Sequence, residues 1–174
     1  KAKMKHYLIR NLVATVLVLT GILAIAQTKN DAPLSKSAPT DRPHNIRDVE
    51  QLVKYDELIS PSVRKALETL PEAKKRYLNG LGKGQAFFLT TRIYDDDGRY
   101  EQIFVRVTNL NGSNVEGTIA NELNIVRSYA YGQPINFPES AVLDWLITNP
   151  DGTEEGNYVG KLLDSLDSSI SAIE

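Results

Sequence analysis

The chain has 174 residues, a formal net charge of −2 at pH 7 and no cysteine. Without cysteine there are no disulfides, thiolate metal sites or thiol nucleophiles, and no acylated cysteine to anchor a lipoprotein. The fold must be held by its core alone.

Met4 to Ala26 read as an export leader. Lys5 and Arg10 supply positive charge, and Leu12 to Ala26 is a fifteen-residue apolar run without a charge. The run closes on Ala24-Ile25-Ala26, a small-x-small pattern that predicts cleavage before Gln27 and a periplasmic or secreted product. The alternative is an inner-membrane anchor made by residues 8–26, but a spanning helix needs ~20 apolar residues. Contact with the membrane is then only transient, through the leader. Cleavage leaves 148 residues, with 16 basic against 22 acidic side chains and a balance of −6. Such an acidic body does not suit nucleic acid, which calls for dense Lys/Arg patches.

Residues 27–47 read as a flexible linker, with Pro33, Pro39 and Pro43 among polar residues. Residues 48–174 form the single expected domain. Asp48 to Leu58 has a helical pattern. Ser60-Pro61 marks a new helix start, with Val63, Ala66, Leu67 and Leu70 on one face. Thr69 and Glu72 have capping-box spacing around Pro71, so a further helix with Ala73, Tyr77 and Leu78 is predicted to end at Asn79-Gly80. The Lys74-Lys75-Arg76 run reads as its solvated face.

The period then changes to two. Gln85 to Tyr94 and Arg99 to Asn109 form a hairpin across the Asp97-Gly98 turn. Asn111-Gly112 turns into a strand over Val115 to Ala120, while Ile125 to Tyr131 has no clear period. Pro134 to Phe137 and Leu143 to Thr148 are short strands, and Asn149 to Glu155 reads as a solvated turn. From Asn157 a last helix carries Leu162, Leu163, Leu166 and Ile170 on one stripe. This order predicts an α+β fold: a small, strongly curved antiparallel sheet with N-terminal helices and one C-terminal helix.

Certain ordered features recur together. They are Ala66-x-x-Thr69-Leu70-Pro71, Glu101-Gln102-Ile103-Phe104-Val105, Gly117-x-x-x-Asn121, Gly132 to Phe137, Val142-Leu143-Asp144-Trp145 and Gly156-Asn157-Tyr158. On these residues the segment from about Ala66 to Leu166 resembles the DUF2314 family, bacterial domains of unknown function that include YegJ-like exported proteins. Two positions depart from the family pattern: Gln102 stands where relatives often have His, and Leu123 where they often have Pro. The resemblance implies the fold, no assigned activity, and envelope-stress or toxin-immunity settings.

Leader cleavage leaves His44, in the linker, as the sole histidine, so a His-based triad or a His-rich zinc site is ruled out. Asp95-Asp96-Asp97-Gly98 fits a hairpin turn better than a Ca²⁺ loop. No catalytic residues, metal site or cofactor are assigned. Trp145 is expected to anchor the interior with its indole N–H on a carbonyl, and Asp144 to point outward or cap a turn near Gly156. Glu101, on the core side of its strand, needs a buried N–H or an arginine. Asp144, Tyr158, Asn121 and Glu101 are candidates for a ligand-facing site, and Tyr129 and Tyr131 for a pair of rings on one face that contacts a partner. The expected function is a non-catalytic domain binding an unknown protein partner in the cell envelope. The alternatives are an envelope structural or stress-response component, and a carboxylate-dependent cell-wall or glycan hydrolase.

Overall fold

The computed structural model describes residues 49–171. The leader expected at 1–26 and the linker expected at 27–47 lie outside those residues. The first element is one helix, α1 (Val49–Asn79), rather than a succession of shorter ones. Pro61 and Pro71 both lie inside it on exposed positions. An interior proline removes one backbone hydrogen bond and costs about 3 kcal/mol. The helix continues because its buried stripe does not break at either proline: Ile59, Ala66, Leu70, Ala73 and Tyr77 keep helical spacing and are all sealed from solvent. The local start signals at Ser60-Pro61 and Thr69-Pro71 are real in chemistry, and packing overrides them.

Six strands follow: β1 (Ala86–Tyr94), β2 (Tyr100–Asn111), β3 (Asn114–Ile119), β4 (Pro134–Pro138), β5 (Asp144–Thr148) and β6 (Glu154–Gly156). A single 3₁₀ turn, Glu139–Ala141, precedes β5, and helix α2 (Tyr158–Ser171) ends the described chain. All neighbours pair antiparallel in the order β4-β3-β2-β1-β5-β6. The α+β class and antiparallel pairing agree with the sequence, but the expected strong curvature does not. The sheet is open and neither curled nor closed. The reason is topological: β5 returns to β1 rather than to β4, so the chain adds strands outward in both directions. The two edges, β4 and β6, end up on opposite sides. β4 is bounded by Pro134 and Pro138, which lack N–H groups and blunt that edge. β6 lies in the stretch expected to be a plain turn; its Glu154, Glu155 and Gly156 pair with Thr148, Ile147 and Leu146.

Side-chain alternation divides the sheet. Phe87, Leu89, Ile93, Ile103, Val105, Val107, Val115, Ile119, Phe137, Trp145 and Ile147 share the main core with Ala66, Leu70, Ala73 and Tyr77 of α1. Ala86, Phe88, Phe104 and Leu146 form a separate cluster on the other face. No helix among the described residues is long and apolar enough to cross a membrane.

Beside the register shift between Val107 and Asn109, Gly117 lets β3 approach β2 closely. A Cβ there would stand 2.4 Å from the Arg106 carbonyl oxygen and 2.5 Å from Val105 Cγ1. Because the first neighbour is backbone, it has little room to yield. Gly117→Ala is expected to lower unfolding free energy by about 1–3 kcal/mol in urea denaturation; an unchanged midpoint would show that the strands can part without loss.

Candidate functional site

Two groups of side chains singled out in the sequence come together, at separate places. The first is the corner where β6 turns into α2, beside β5. The residues Gly156 and Asn157 turn it with φ of 75° and 55°, both left-handed. Glycine is required at the first, since a Cβ would lie 2.2 Å from the Trp145 carbonyl oxygen. Asn157 donates its N–H to that same oxygen at 2.7 Å, and its Nδ2 donates to Glu154 Oε2 at 2.9 Å. Asp144 lies inside the corner at 1% exposure. Its Oδ1 accepts the Trp145 N–H and its Oδ2 the Val159 N–H, each at 2.7 Å, so it satisfies a donor left over in the first turn of α2. Of the two expected placements, outward or capping, Asp144 takes the capping one.

Trp145 faces the opposite way, under α1. Its indole N–H is shared between Ala66 O at 3.1 Å and Thr69 Oγ1 at 3.0 Å. Tyr158 meets the Trp145 ring edge-on at 6.1 Å, and its hydroxyl oxygen lies 3.3 Å from Thr69 Oγ1. The corner therefore joins β5, α1 and α2.

The second group lies where β2 meets the long loop between β3 and β4. Glu101, 1% exposed, accepts three backbone N–H groups: Asn124 on Oε1 at 2.8 Å, and Ile125 and Val126 on Oε2 at 2.9 and 3.1 Å. Its partners are backbone amides rather than Arg92, Arg106 or Arg127. Asn121 accepts the Phe104 N–H at 2.8 Å through Oδ1, tying the start of the loop to the same strand. Gln133 Oε1 accepts the Ala130 N–H at 3.0 Å. The unassigned stretch Ile125 to Tyr131 is therefore a loop folded onto a buried carboxylate. Tyr129 packs against the main core, whereas Tyr131 is 63% exposed. The expected pair of rings on one face is thus split, one ring in and one out.

Register separates the two acids. Glu101 lies opposite Ile93 and shares the helix-covered face with Ile103 and Val105. Asp144 and Phe104 both lie opposite Thr90, so Asp144 takes its place on the other face. The four residues Glu101, Asn121, Asp144 and Tyr158 do not line one site. Among the described residues no group of three His, Cys, Asp or Glu side chains is placed to hold a metal ion. Asp95 is engaged as a turn acceptor, receiving the Asp97 and Arg99 N–H groups and the Arg99 guanidinium, which together hold it below the usual carboxylate range.

Sequence reasoning missed the ionic ties of α1. Lys74 bonds Glu139, and Arg76 grips Glu155 with two bonds of 2.6 and 2.8 Å, drawing that carboxylate below its ordinary range. Of the Lys74-Lys75-Arg76 run only Lys75 is exposed, while Lys74 and Arg76 are partly buried. Near the other end of the helix, Asp56 pairs with Arg92, whose guanidinium sits 5.0 Å from the Tyr100 ring and 5.9 Å from the Tyr55 ring. These partners are far apart in sequence and carry no local spacing signal.

Two outcomes follow from the buried acids. Glu101→Gln turns one acceptor oxygen into a donor facing backbone N–H groups, at an expected cost of about 2–4 kcal/mol in urea denaturation and with faster proteolysis between Asn121 and Gln133. Stability and proteolysis like the parent's would mean that the loop stands without the carboxylate. Burial pushes the Asp144 carboxyl up to about 7 against the opposing pull of the Val159 and Trp145 N–H groups. A carboxyl with a raised folded-state pKa binds protons more tightly folded than unfolded. Its contribution therefore favours folding at low pH and is lost as pH rises from the unfolded value, about 4, through 7. The parent should lose on the order of 2–4 kcal/mol relative to Asp144→Asn between pH 4 and pH 8. A pH-independent difference between the two would contradict this.

Comparison with known proteins supplies a family and little more. No curated protein and no solved structure matches the chain. The family model described as "Uncharacterized protein conserved in bacteria (DUF2314)" matches residues 62–170, from the first half of α1 almost to the end of α2. That span holds both the Glu101 loop and the Asp144 corner, and the chain belongs to the DUF2314 family.

Proposed function

We propose that the chain is an exported, non-catalytic domain that binds a protein partner in the cell envelope. The observation that carries this reading is the use made of the two buried carboxylates. Glu101 is committed to three backbone N–H groups and Asp144 to two, on opposite faces of the sheet. Hydrolysis by a carboxylate pair needs two acids flanking one scissile bond, roughly 5–9.5 Å apart on a common site. Here the acids serve the backbone instead.

The same bonds favour recognition. The loop from Asn121 to Gln133 is fixed at its start by Asn121, in its middle by Glu101 and at its end by Gln133. It presents Arg127, Ser128 and Tyr131 to solvent from a backbone that needs little further ordering. Preordering lowers the entropic cost of association, and an exposed tyrosine with a neighbouring arginine is a frequent binding anchor. The acidic balance of the processed chain suits a basic partner surface.

The test is retention of envelope proteins by residues 27–174, compared with the same body carrying Tyr131→Ala and Arg127→Ala. The reading predicts a discrete protein retained by the parent at least about tenfold better than by the double variant, a difference of ~1.4 kcal/mol or more. Turnover of a muropeptide or glycan panel that disappears in Glu101→Gln or Asp144→Asn would replace this reading with the hydrolase.

A further inference from the structure

Opposite positions on β1 and β2 bring two unsatisfied polar side chains together. Arg92 faces Gln102 across the strand pair, so both project from the same side of the sheet. Gln102 is 6% exposed, and among the described residues neither its Oε1 nor its Nε2 has a hydrogen-bond partner. The Nε of Arg92 is buried without a partner as well. Tyr100, on the same side of β2, sets its ring 5.0 Å from the guanidinium. The unmet groups are mostly donors: the Arg92 Nε–H and the Gln102 amide hydrogens, with Gln102 Oε1 as the acceptor. The Arg92 Nε–H and Gln102 Oε1 could satisfy each other, yet they do not bond.

The other edge of the guanidinium is in use. Asp56 of α1 accepts from Nη2 through Oδ1 and from Nη1 through Oδ2, the latter at 3.1 Å. This paired fork is the way a guanidinium takes a carboxylate of any origin. The acid is the open half of the pair: its side chain is 47% exposed, against 12% for Arg92. An ion pair so open to water is weakly held. A dissolved carboxylate that gains further bonds at Gln102 displaces it.

Asp56 also stands on the less anchored part of its helix. Pro61 removes the N–H that would bond the Glu57 carbonyl. Ala66, Leu70, Ala73 and Tyr77, which fasten α1 to the main core, all follow Pro61. Before it Val53 and Leu58 are exposed, and the buried Ile59 belongs to neither apolar cluster. The family match begins at residue 62, so the stretch that delivers Asp56 precedes the shared region, while Arg92 and Gln102 lie within it.

We propose that Arg92, Gln102 and Tyr100 form a binding site for an α-carboxylate with a neighbouring N–H, as borne by an amino acid or by the last residue of a peptide, and that Asp56 stands in for that ligand. The ligand carboxylate takes the guanidinium fork, Gln102 Nε2 donates to it, and Gln102 Oε1 accepts the ligand N–H. The Tyr100 ring steadies the guanidinium. The first turns of α1, hinged at Pro61, are a strap that lifts as the ligand enters. The site does not rest on the partner-binding reading of the loop.

The test is an NMR titration of the isotope-labelled full chain with N-acetylalanine, read on the Arg92 Nε–H and the Gln102 side-chain amide. Asp56→Asn removes the internal competitor, and this variant should bind N-acetylalanine at least about tenfold more tightly than the parent chain. A purely stabilising Asp56 would give no such gain. N-acetylalanine amide, which lacks the carboxylate, should leave both signals in place. Gln102→Leu exchanges an unpaired buried amide for an apolar side chain of similar size, which the fold tolerates. Added to Asp56→Asn, it should weaken binding at least about tenfold, read on Arg92. Tighter binding of N-acetylalanine than of alanine assigns the site to a chain end and the reverse order to a free amino acid, and either upholds it. Equal affinity of the parent and Asp56→Asn, equal response to the acid and its amide, or no response in either chain would overturn the proposal.

Discussion

Backbone N–H groups left over at a helix start and in a long loop must find acceptors, and in this chain two buried carboxylates provide them. Glu101 takes three from the loop after β3, and Asp144 takes one from the first turn of α2 and one from Trp145. A buried donor without a partner costs on the order of 1–3 kcal/mol, so five of them would weigh heavily against the marginal stability of a domain this size. The position of α2, the path of the loop and the corner under Trp145 all follow from meeting that requirement.

The consequence for function is a matter of sides. Strand alternation sends Glu101 beneath the helices and Asp144 to the opposite face, so no single cleft contains both. The main core occupies the helix-covered face and holds α1 through its unbroken stripe, the shared indole N–H of Trp145 and the Arg76–Glu155 pair. Tyr131 stands exposed on the pinned loop, and the second sheet face carries its own apolar cluster. The family shares this region without an assigned activity.

Local chemistry was legible in the sequence where local chemistry decides. The period-two pattern and Asp97-Gly98 gave the β1–β2 hairpin, and parity alone placed Glu101 on the core side. Family-like spacing marked Asp144-Trp145 and Gly156-Asn157-Tyr158 as one feature, which the structure resolves into a capped corner. What was not legible depends on the whole. Ser60-Pro61 and Thr69-Pro71 carry strong signals for new helix starts, yet one helix runs through them because its buried stripe packs on a sheet that follows in sequence. Strand β6 exists because β5 offers an edge, not because Glu154-Glu155-Gly156 favours a strand. The open shape of the sheet follows from β5 pairing with β1, and no pattern within either strand declares that choice. The partners of Lys74, Arg76 and Arg92 lie across the fold for the same reason.

Amide hydrogen exchange resolved residue by residue tests the central claim most directly. If the carboxylates are the acceptors, the N–H groups of Asn124, Ile125, Val126, Trp145 and Val159 exchange as slowly as those of the central strands β1 and β2, through global unfolding, although three of them belong to a surface loop. Exchange of Asn124, Ile125 and Val126 at the rate of an open loop, with β1 and β2 still protected, would contradict the account.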